Sequence, residues 1–85
     1  MRTYFFYILR CNDNSLYCGQ TTNIEKRVLE HNNNQNKASK YVWAHRPAAL
    51  VYFESYTTKS KALHREHVVK QWTKMQKESL ITSSQ

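Results

Sequence analysis

The strongest constraint on the fold of this 85-residue chain lies in its first twenty residues. Apolar and aromatic side chains fill positions 5–9 and 16–18, and the sequence Asn-Asp-Asn-Ser at 12–15 separates them. Such runs on either side of a cluster of turn-forming residues are typical of a β-hairpin. We predict its two strands over residues 3–10 and 15–20.

Two tyrosines and the only glycine of the chain belong to this hairpin. Tyr7 and Tyr17 occupy near-facing positions on the two strands, and Gly19 ends the second strand. A lone glycine where the backbone leaves a sheet indicates either a positive φ or the close approach of another group. The hairpin therefore presents two phenols beside a backbone position that has no side chain.

A helix is predicted directly after the hairpin. Thr22 and Glu25 have the spacing of a capping box, so we predict a helix over residues 23–32 that Thr22 caps. Arg27 and His31 are four residues apart and share one face of that helix. A guanidinium that leans over a pair of phenols indicates a phosphate-binding site.

Charge and length narrow the class of function. Thirteen lysines and arginines against six acidic residues give a net charge of +7 and a pI of about 9.7. This balance favours a polyanionic partner such as nucleic acid, although a basic protein without such a partner has the same composition. A chain of this length forms one domain with a small core, so we predict a single domain over residues 1–85. Association with a second copy or with a targeting partner stays open.

The cysteines and the hydropathy pattern concern the cellular setting. Cys11 and Cys18 lie on the paired strands, where a disulfide is geometrically conceivable, but reduced thiols in an intracellular setting are the simpler interpretation. The longest apolar run has about five residues, against the roughly 20 that a membrane-spanning helix needs. We predict no membrane association and a cytoplasmic location, or a nuclear one in a cell that has a nucleus.

The middle of the chain changes from a polar tract to a basic and aromatic one. The asparagine-rich stretch at 32–36 predicts a loop. Cations and rings then interleave at Lys37, Lys40, Tyr41 and Trp43, over one or two predicted helical turns. Such interleaving suits a single-stranded or distorted nucleic acid, which offers both phosphates and base faces. The alternative is that the rings fill the core, and for Trp43 we favour that interpretation.

A third strand is predicted over residues 49–56, and a long helix from Thr57 or Thr58 to residue 74. Glu66 lies in the middle of the apolar face of this helix, which also contains Ala62, Leu63, Val69 and Lys70. An unpaired carboxylate at such a position costs several kcal/mol. Glu66 is therefore expected to be paired with Arg27 or Lys70, hydrated in a cleft, or bound to a metal ion.

The end of the chain predicts one further amphipathic segment. Residues 76–81 include Leu80 and Ile81, which we expect to cover the sheet. Residues 82–85 are polar, and we expect this tail to fray.

The hairpin, glycine and helix together resemble the GIY-YIG nuclease superfamily. Tyr7 matches the tyrosine of the first tripeptide, and Tyr17-Cys18-Gly19 matches the second. The sequence Tyr-Ile-Leu-Arg-Cys at 7–11 is similar to that of small single-domain members, whereas residues 5 and 6 are phenylalanines in place of glycine and isoleucine. The resemblance implies an α+β fold, with a small three-stranded antiparallel sheet flanked by helices in the order β-β-α-β-α-α.

The resemblance also implies a metal-dependent DNA endonuclease. Glu66 would hold a single Mg²⁺ or Mn²⁺, and Arg27 would bind the non-bridging phosphate oxygens. Tyr7 and Tyr17 would orient or deprotonate the attacking water, with His31 as a proton acceptor or relay because its ordinary pKa is near 6.5. Whether Tyr7 or His31 is the general base stays open. Gly19 would let the backbone approach the site, and the remaining expected contacts to nucleic acid are Lys37, Lys40, Tyr41, Lys70 and Lys77.

Two other classes of function fit the same residues. A non-catalytic nucleic-acid-binding domain would need only the fold and the basic surface, and an interaction subunit would rely on a partner for targeting. For the nuclease we expect selection by DNA structure, with branched or single-stranded DNA as substrate. No predicted element is suited to reading base edges in the major groove.

Overall fold

The structure is a computed structural model that describes residues 2–84. Its strands are β1 (Tyr4–Arg10), β2 (Leu16–Thr21) and β3 (Ala49–Tyr56), and its helices are α1 (Ile24–Asn33), α2 (Lys40–Ala44), α3 (Lys59–Lys70) and α4 (Lys74–Ser83). The strands form an antiparallel sheet in the order β2-β1-β3, with the first strand in the centre. The predicted α+β fold, with helices flanking three antiparallel strands, is confirmed, and the short basic segment adds one helix before β3.

Helices cover both faces of the sheet because β1 buries both of its sides. Phe6 and Ile8 point to one face, where Val69 of α3 and Ile81 of α4 pack against them. Tyr7 and Leu9 alternate with these two and point to the other face. There they pack against Val28 of α1, Val42 of α2 and Ala48 before β3. A strand buried on both faces explains the unbroken apolar run at 5–9.

The hairpin has the predicted turn. Asn14 has a φ of 71°, a left-handed conformation that asparagine tolerates better than most residues. In the resulting register Tyr7 pairs with Gly19 and Leu9 pairs with Tyr17. Tyr7 and Tyr17 therefore lie on the same face as diagonal neighbours. The two cysteines are free thiols that belong to the clusters on opposite faces of the sheet, so the disulfide is not formed.

The predicted start and end of α1 need correction. Asn23, not Thr22, caps the helix, and its side chain accepts a hydrogen bond from Lys26 N at 3.1 Å. Asparagine is at least as good an N-cap as threonine, so the chain uses the later residue. The helix continues to Asn33, and Asn32 is structural rather than part of a loop. Its amide pairs with both backbone groups of Ala48, at 2.8 and 2.9 Å.

The C-terminal half also differs from the prediction. The long helix does not reach residue 74, because α3 ends at Lys70 and Thr73 caps a separate helix α4 in a capping box with Gln76. Threonine three residues before glutamine is a helix start signal, and it prevails over the helical periodicity. Thr82 and Ser83 are helical rather than frayed, and residue 85 lies outside the described residues.

The core residue of the basic and aromatic segment is Val42, which is fully buried. The prediction that Trp43 fills the core is wrong. Its ring is half-buried at the surface, and the Arg46 guanidinium lies over it, 3.5 Å from the ring centroid. Because α2 is only five residues long, a single side chain points fully inward.

A polar cluster fixes α3 on the sheet. The Glu54 carboxylate of β3 accepts hydrogen bonds from the phenols of Tyr52 and Tyr56 and from Arg65 of α3, at 3.0 Å from Nε and 3.1 Å from Nη2. These bonds satisfy a half-buried carboxylate from both strand and helix. They join α3 to β3 at the residue before Glu66. None of the helices in residues 2–84 is both long enough and apolar enough to span a membrane.

Candidate active site

Tyr7 lies across the backbone of Gly19. The phenol is almost completely buried, and a Cβ at position 19 would lie 2.5 Å from its Cζ atom and still closer to its hydroxyl. The φ of Gly19 is not positive, so of the two predicted reasons for glycine the close approach is the one observed. Since β2 is an edge strand, the ring crosses it and brings its hydroxyl toward the edge of the sheet.

His31 holds that hydroxyl. The imidazole is fully buried, and its Nε2 atom lies 3.0 Å from Tyr7 Oη. Its Nδ1 atom accepts a hydrogen bond from the backbone N–H of Ser39 at 3.3 Å. Because a backbone N–H only donates, Nδ1 is unprotonated, and the neutral ring carries its proton on Nε2. His31 therefore donates to Tyr7, and the edge of its ring packs on Tyr17 with centroids 5.4 Å apart.

Burial shifts both groups of this pair away from neutral pH. It lowers the pKa of His31 to about 4, with the positive charge of Arg27 acting in the same direction. It raises the pKa of Tyr7 to about 12, and the charge of Glu66 adds to that rise while Arg27 opposes it. The expectation that His31 titrates near 6.5 is wrong. The imidazole is a neutral donor at physiological pH.

Arg27 lies beside this pair and is fixed by α1 and by the loop that follows it. Its Nη1 atom donates to the Lys37 carbonyl at 2.7 Å and to Glu30 at 3.3 Å. About a quarter of the Arg27 side-chain surface is exposed to solvent. The guanidinium lies close enough to Tyr7 to lower the pKa of the phenol.

Glu66 reaches the site from α3, on the opposite face of the sheet. Its carboxylate is half-buried and pairs with Lys70 at 2.7 Å, which was one of the predicted partners; Arg27 pairs with Glu30 instead. The apolar stripe around it is narrower than predicted, because Ala62 and Val69 are buried whereas Leu63 and Lys70 are exposed. Glu66 is the acidic residue whose charge acts on Tyr7.

The residues present fit a weakly held hard cation rather than a preformed metal centre. Among residues 2–84 there is no group of three or more histidine, cysteine, aspartate or glutamate side chains that could hold a metal. Glu66 supplies a single carboxylate, and Lys70, which is half exposed, must swing away from it. Mg²⁺ keeps several of its own waters and accepts one or two carboxylates plus substrate phosphates, so this set suits it.

The residues predicted to contact nucleic acid fall into two groups. Tyr41 is exposed on α2, with its ring nearly parallel to Tyr17 at 6.4 Å and stacked on His45 at 4.3 Å. Lys37 is exposed near Arg27, and Lys40 is exposed at the start of α2. Burial raises the pKa of the Cys18 thiol, and the charges that act on it are those of Lys77, Lys70 and Glu66. Lys70 and Lys77 therefore lie on the side of the sheet that α3 and α4 cover.

One backbone group of the site could not be predicted from the sequence. The N–H of Ser39 decides the tautomer of His31, yet any residue other than proline offers the same group. Only the fold of the segment between α1 and α2 brings it there.

Comparison with known proteins shows the family to which this chain belongs. A profile described as the GIY-YIG catalytic domain matches residues 3–79, and the chain belongs to the GIY-YIG family, whose members are in general nucleases. Within that family it is similar to the UPF0213 proteins. It is 48% identical over 81 residues to one from Staphylococcus epidermidis, an alignment that covers 95% of this chain and 96% of the relative. It is 46% identical to one from Bacillus velezensis, covering 93% and 78% of the two chains.

Two solved structures share the fold. The solution NMR structure of a UPF0213 protein from Bacillus halodurans matches with a TM-score of 0.60 and 32% identity, covering 94% of this chain and 83% of the other. That of the protein EF2693 from E. faecalis matches with a TM-score of 0.65 and 33% identity, covering 98% and 86%.

Proposed function

We propose that this chain is a divalent-metal-dependent endonuclease that hydrolyses DNA phosphodiester bonds. The observation that carries the proposal is the buried Tyr7–His31 pair, because the charges of Arg27 and Glu66 both act on its phenol. Phosphodiester hydrolysis needs a proton acceptor and positive charge at one place, and this pair and its neighbours supply them.

Tyr7 orients the attacking water and takes its proton in the transition state. In the free protein the phenol is protonated, because its pKa is about 12. The Nε2–H of His31 and the charge of Arg27 stabilise the ionised oxygen, since a donor to the charged form favours it. Of the two candidates for the general base, we therefore assign Tyr7 as the proton acceptor and His31 as a positioning residue.

Arg27 and Tyr17 bind the substrate phosphate. The planar guanidinium of Arg27 matches two non-bridging oxygens, and its anchor on the Lys37 carbonyl limits its freedom before substrate arrives. Tyr17 packs on His31 and closes the other side of the pair. Gly19 contributes space, because any side chain there would displace Tyr7.

Glu66 would hold a single Mg²⁺ or Mn²⁺ together with waters and a phosphate oxygen. When bound, the cation supplies positive charge to the developing phosphorane and to the leaving oxygen. Lys70, once released from Glu66, and Lys77 contact neighbouring phosphates. The ion pair between Glu66 and Lys70 keeps the carboxylate compensated in the free protein.

We expect selection by DNA structure rather than by sequence. Tyr41 is exposed and nearly parallel to Tyr17, which offers a stacking surface to an unpaired base. Lys40 precedes it on α2, and Lys37 adds positive charge near Arg27. Duplex DNA keeps its base faces covered, whereas branched or single-stranded DNA presents them.

A cleavage assay tests the proposal. Branched, flapped, single-stranded and duplex DNA are incubated with Mg²⁺ or Mn²⁺ and the wild-type chain, Glu66→Gln, or Glu25→Gln. Glu25 is an exposed glutamate on α1 and serves as the matched control. We expect metal-dependent cleavage that Glu66→Gln abolishes and Glu25→Gln leaves unchanged. Cleavage that survives Glu66→Gln would refute the assigned metal ligand.

A non-catalytic nucleic-acid-binding domain is the second candidate. The 2.7 Å ion pair favours it, because Lys70 neutralises the only carboxylate assigned to the metal. In that case every variant binds DNA in a salt-dependent manner, and none of them cuts it, with or without metal.

A further inference from the structure

A groove beside the proposed site is lined by cations and polar groups. It occupies about 620 Å³ at the end of the sheet where β1 begins and β2 ends. Its cations are Arg2, Arg27 and Lys59, and Gln20, Thr21 and Thr22 line it as well. A volume of this order is that of a typical small-molecule site, but the lining is polar rather than apolar.

The charges of this groove are not compensated from within. No acidic residue is among its lining residues. Arg27 pairs with Glu30, whereas among residues 2–84 neither Arg2 nor Lys59 forms an ion pair. Gathering like charges around a concave surface raises the local concentration of anions. The positive field of the groove therefore favours the binding of an anionic ligand.

The start of α3 adds to this field. Thr58 caps the helix, Lys59 is its first residue, and the first turn contains no acidic residue to offset the positive end of the helix dipole. The threonine hydroxyls and the glutamine amide of β2 and the following turn offer hydrogen bonds without adding charge. Phosphate oxygens match this combination of cations and neutral donors.

We propose that the groove binds the sugar-phosphate backbone of the DNA strand next to the scissile phosphate. Arg27 belongs both to the groove and to the surroundings of Tyr7, so a strand that leaves the site enters the groove directly. The identification of the ligand as DNA rests on the proposed function. The location of the groove and its preference for phosphate do not depend on cleavage.

A binding measurement without metal tests this inference. Fluorescence anisotropy of a labelled 20-nucleotide single strand is recorded in EDTA at several salt concentrations for the wild type, Arg2→Ala/Lys59→Ala and Lys61→Ala. Lys61 is an exposed lysine two residues along the same helix, outside the groove lining. We expect the double variant to bind more weakly and to lower the slope of log K against log salt by about 1.4, since each phosphate contact on a single strand contributes about 0.7.

The controls separate this inference from the proposed function. The inference fails if the double variant matches Lys61→Ala in affinity and slope, or if a dinucleotide competes as well as the 20-mer, which would indicate a site for a small ligand. It also fails if the wild type does not bind the strand. A chain that binds as expected but cuts no DNA under the assay above sustains the groove and refutes the nuclease.

Discussion

His31 is the only polar side chain that is fully buried among residues 2–84. Both of its nitrogens have partners, so its burial is compatible with the neutral ring but not with the charged one. Tyr7 depends on the same contact. The chemistry of the site is therefore set by burial rather than by the ordinary pKa values of the two residues.

Acid should destabilise the protein through His31. Its pKa is about 4 in the folded chain and near 6.5 when unfolded, so between these values only the unfolded chain binds the proton. The free energy of unfolding therefore decreases as the pH is lowered, by about 2 kcal/mol from pH 7 to pH 5. Urea denaturation at the two pH values measures it. Glu78, whose pKa is about 2, loses its contribution at lower pH.

The matched variants for this experiment are His31→Gln and His64→Gln. We expect the first to lose the pH dependence and the second, at an exposed position on α3, to retain it. An unchanged dependence in His31→Gln would show that other groups cause it.

Gly19→Ala should displace the Tyr7 ring. The added Cβ would lie 2.5 Å from Cζ, so we expect a loss of about 1–3 kcal/mol in the free energy of unfolding, as for other overpacked sites. In a Tyr7→Leu background the same change should cost much less, because the phenol is absent. Equal costs in both backgrounds, measured by urea denaturation, would exclude the close contact as the reason for glycine.

The sequence predicted part of this residue-scale account. A lone glycine at a strand end indicated either a positive φ or a close approach, and the i, i+4 spacing placed Arg27 and His31 on one helix face. The tautomer and the pKa of His31 could not be predicted. They depend on Ser39, which reaches the ring only after α2 folds back on α1.

At the scale of elements, single polar contacts decide where helices end and how they pack. Asn32 joins α1 to the start of β3, and the Arg10–Glu78 pair joins β1 to α4 with two bonds of 2.7 Å. Strand and helix periodicity predicted that these elements exist. It could not predict their boundaries. Thr22 competes with Asn23 as a cap, and the break before Thr73 comes from a capping box rather than from the apolar pattern.

Asn32→Ala should destabilise the protein by about 1–3 kcal/mol, because it leaves both backbone groups of Ala48 without a partner. Asn33→Ala is the control, since Asn33 is exposed and its amide bonds only to Leu29 of its own helix. Thermal or urea denaturation of the two variants gives the comparison. If the two variants lose equal stability, the bridge to Ala48 does not stabilise the fold.

The whole molecule brings together residues from both faces of its sheet. Tyr7 and Arg27 belong to the layer of α1 and α2, whereas Glu66 and Lys70 belong to α3 on the other side. The charges of Arg27 and Glu66 both act on Tyr7, whose hydroxyl lies over Gly19 of the edge strand β2. The resemblance to the GIY-YIG family implied a sheet flanked by helices, but no sequence pattern assigns each helix to a face. Association with a second copy or a targeting partner and the cytoplasmic location stay predictions.

The single-turnover rate of phosphodiester cleavage as a function of pH shows whether Tyr7 accepts a proton from the attacking water. On DNA that the wild type cuts in the presence of metal, we expect the rate to rise about tenfold per pH unit between pH 6 and 8, because a base of high pKa is increasingly ionised. The pH profile should show no inflection near pH 6.5. Tyr7→Phe should lower the rate by about 10² to 10⁴ while retaining the folded circular-dichroism spectrum. A rate that Tyr7→Phe leaves unchanged, or one that levels off above pH 6.5 and loses that feature in His31→Gln, would contradict the account.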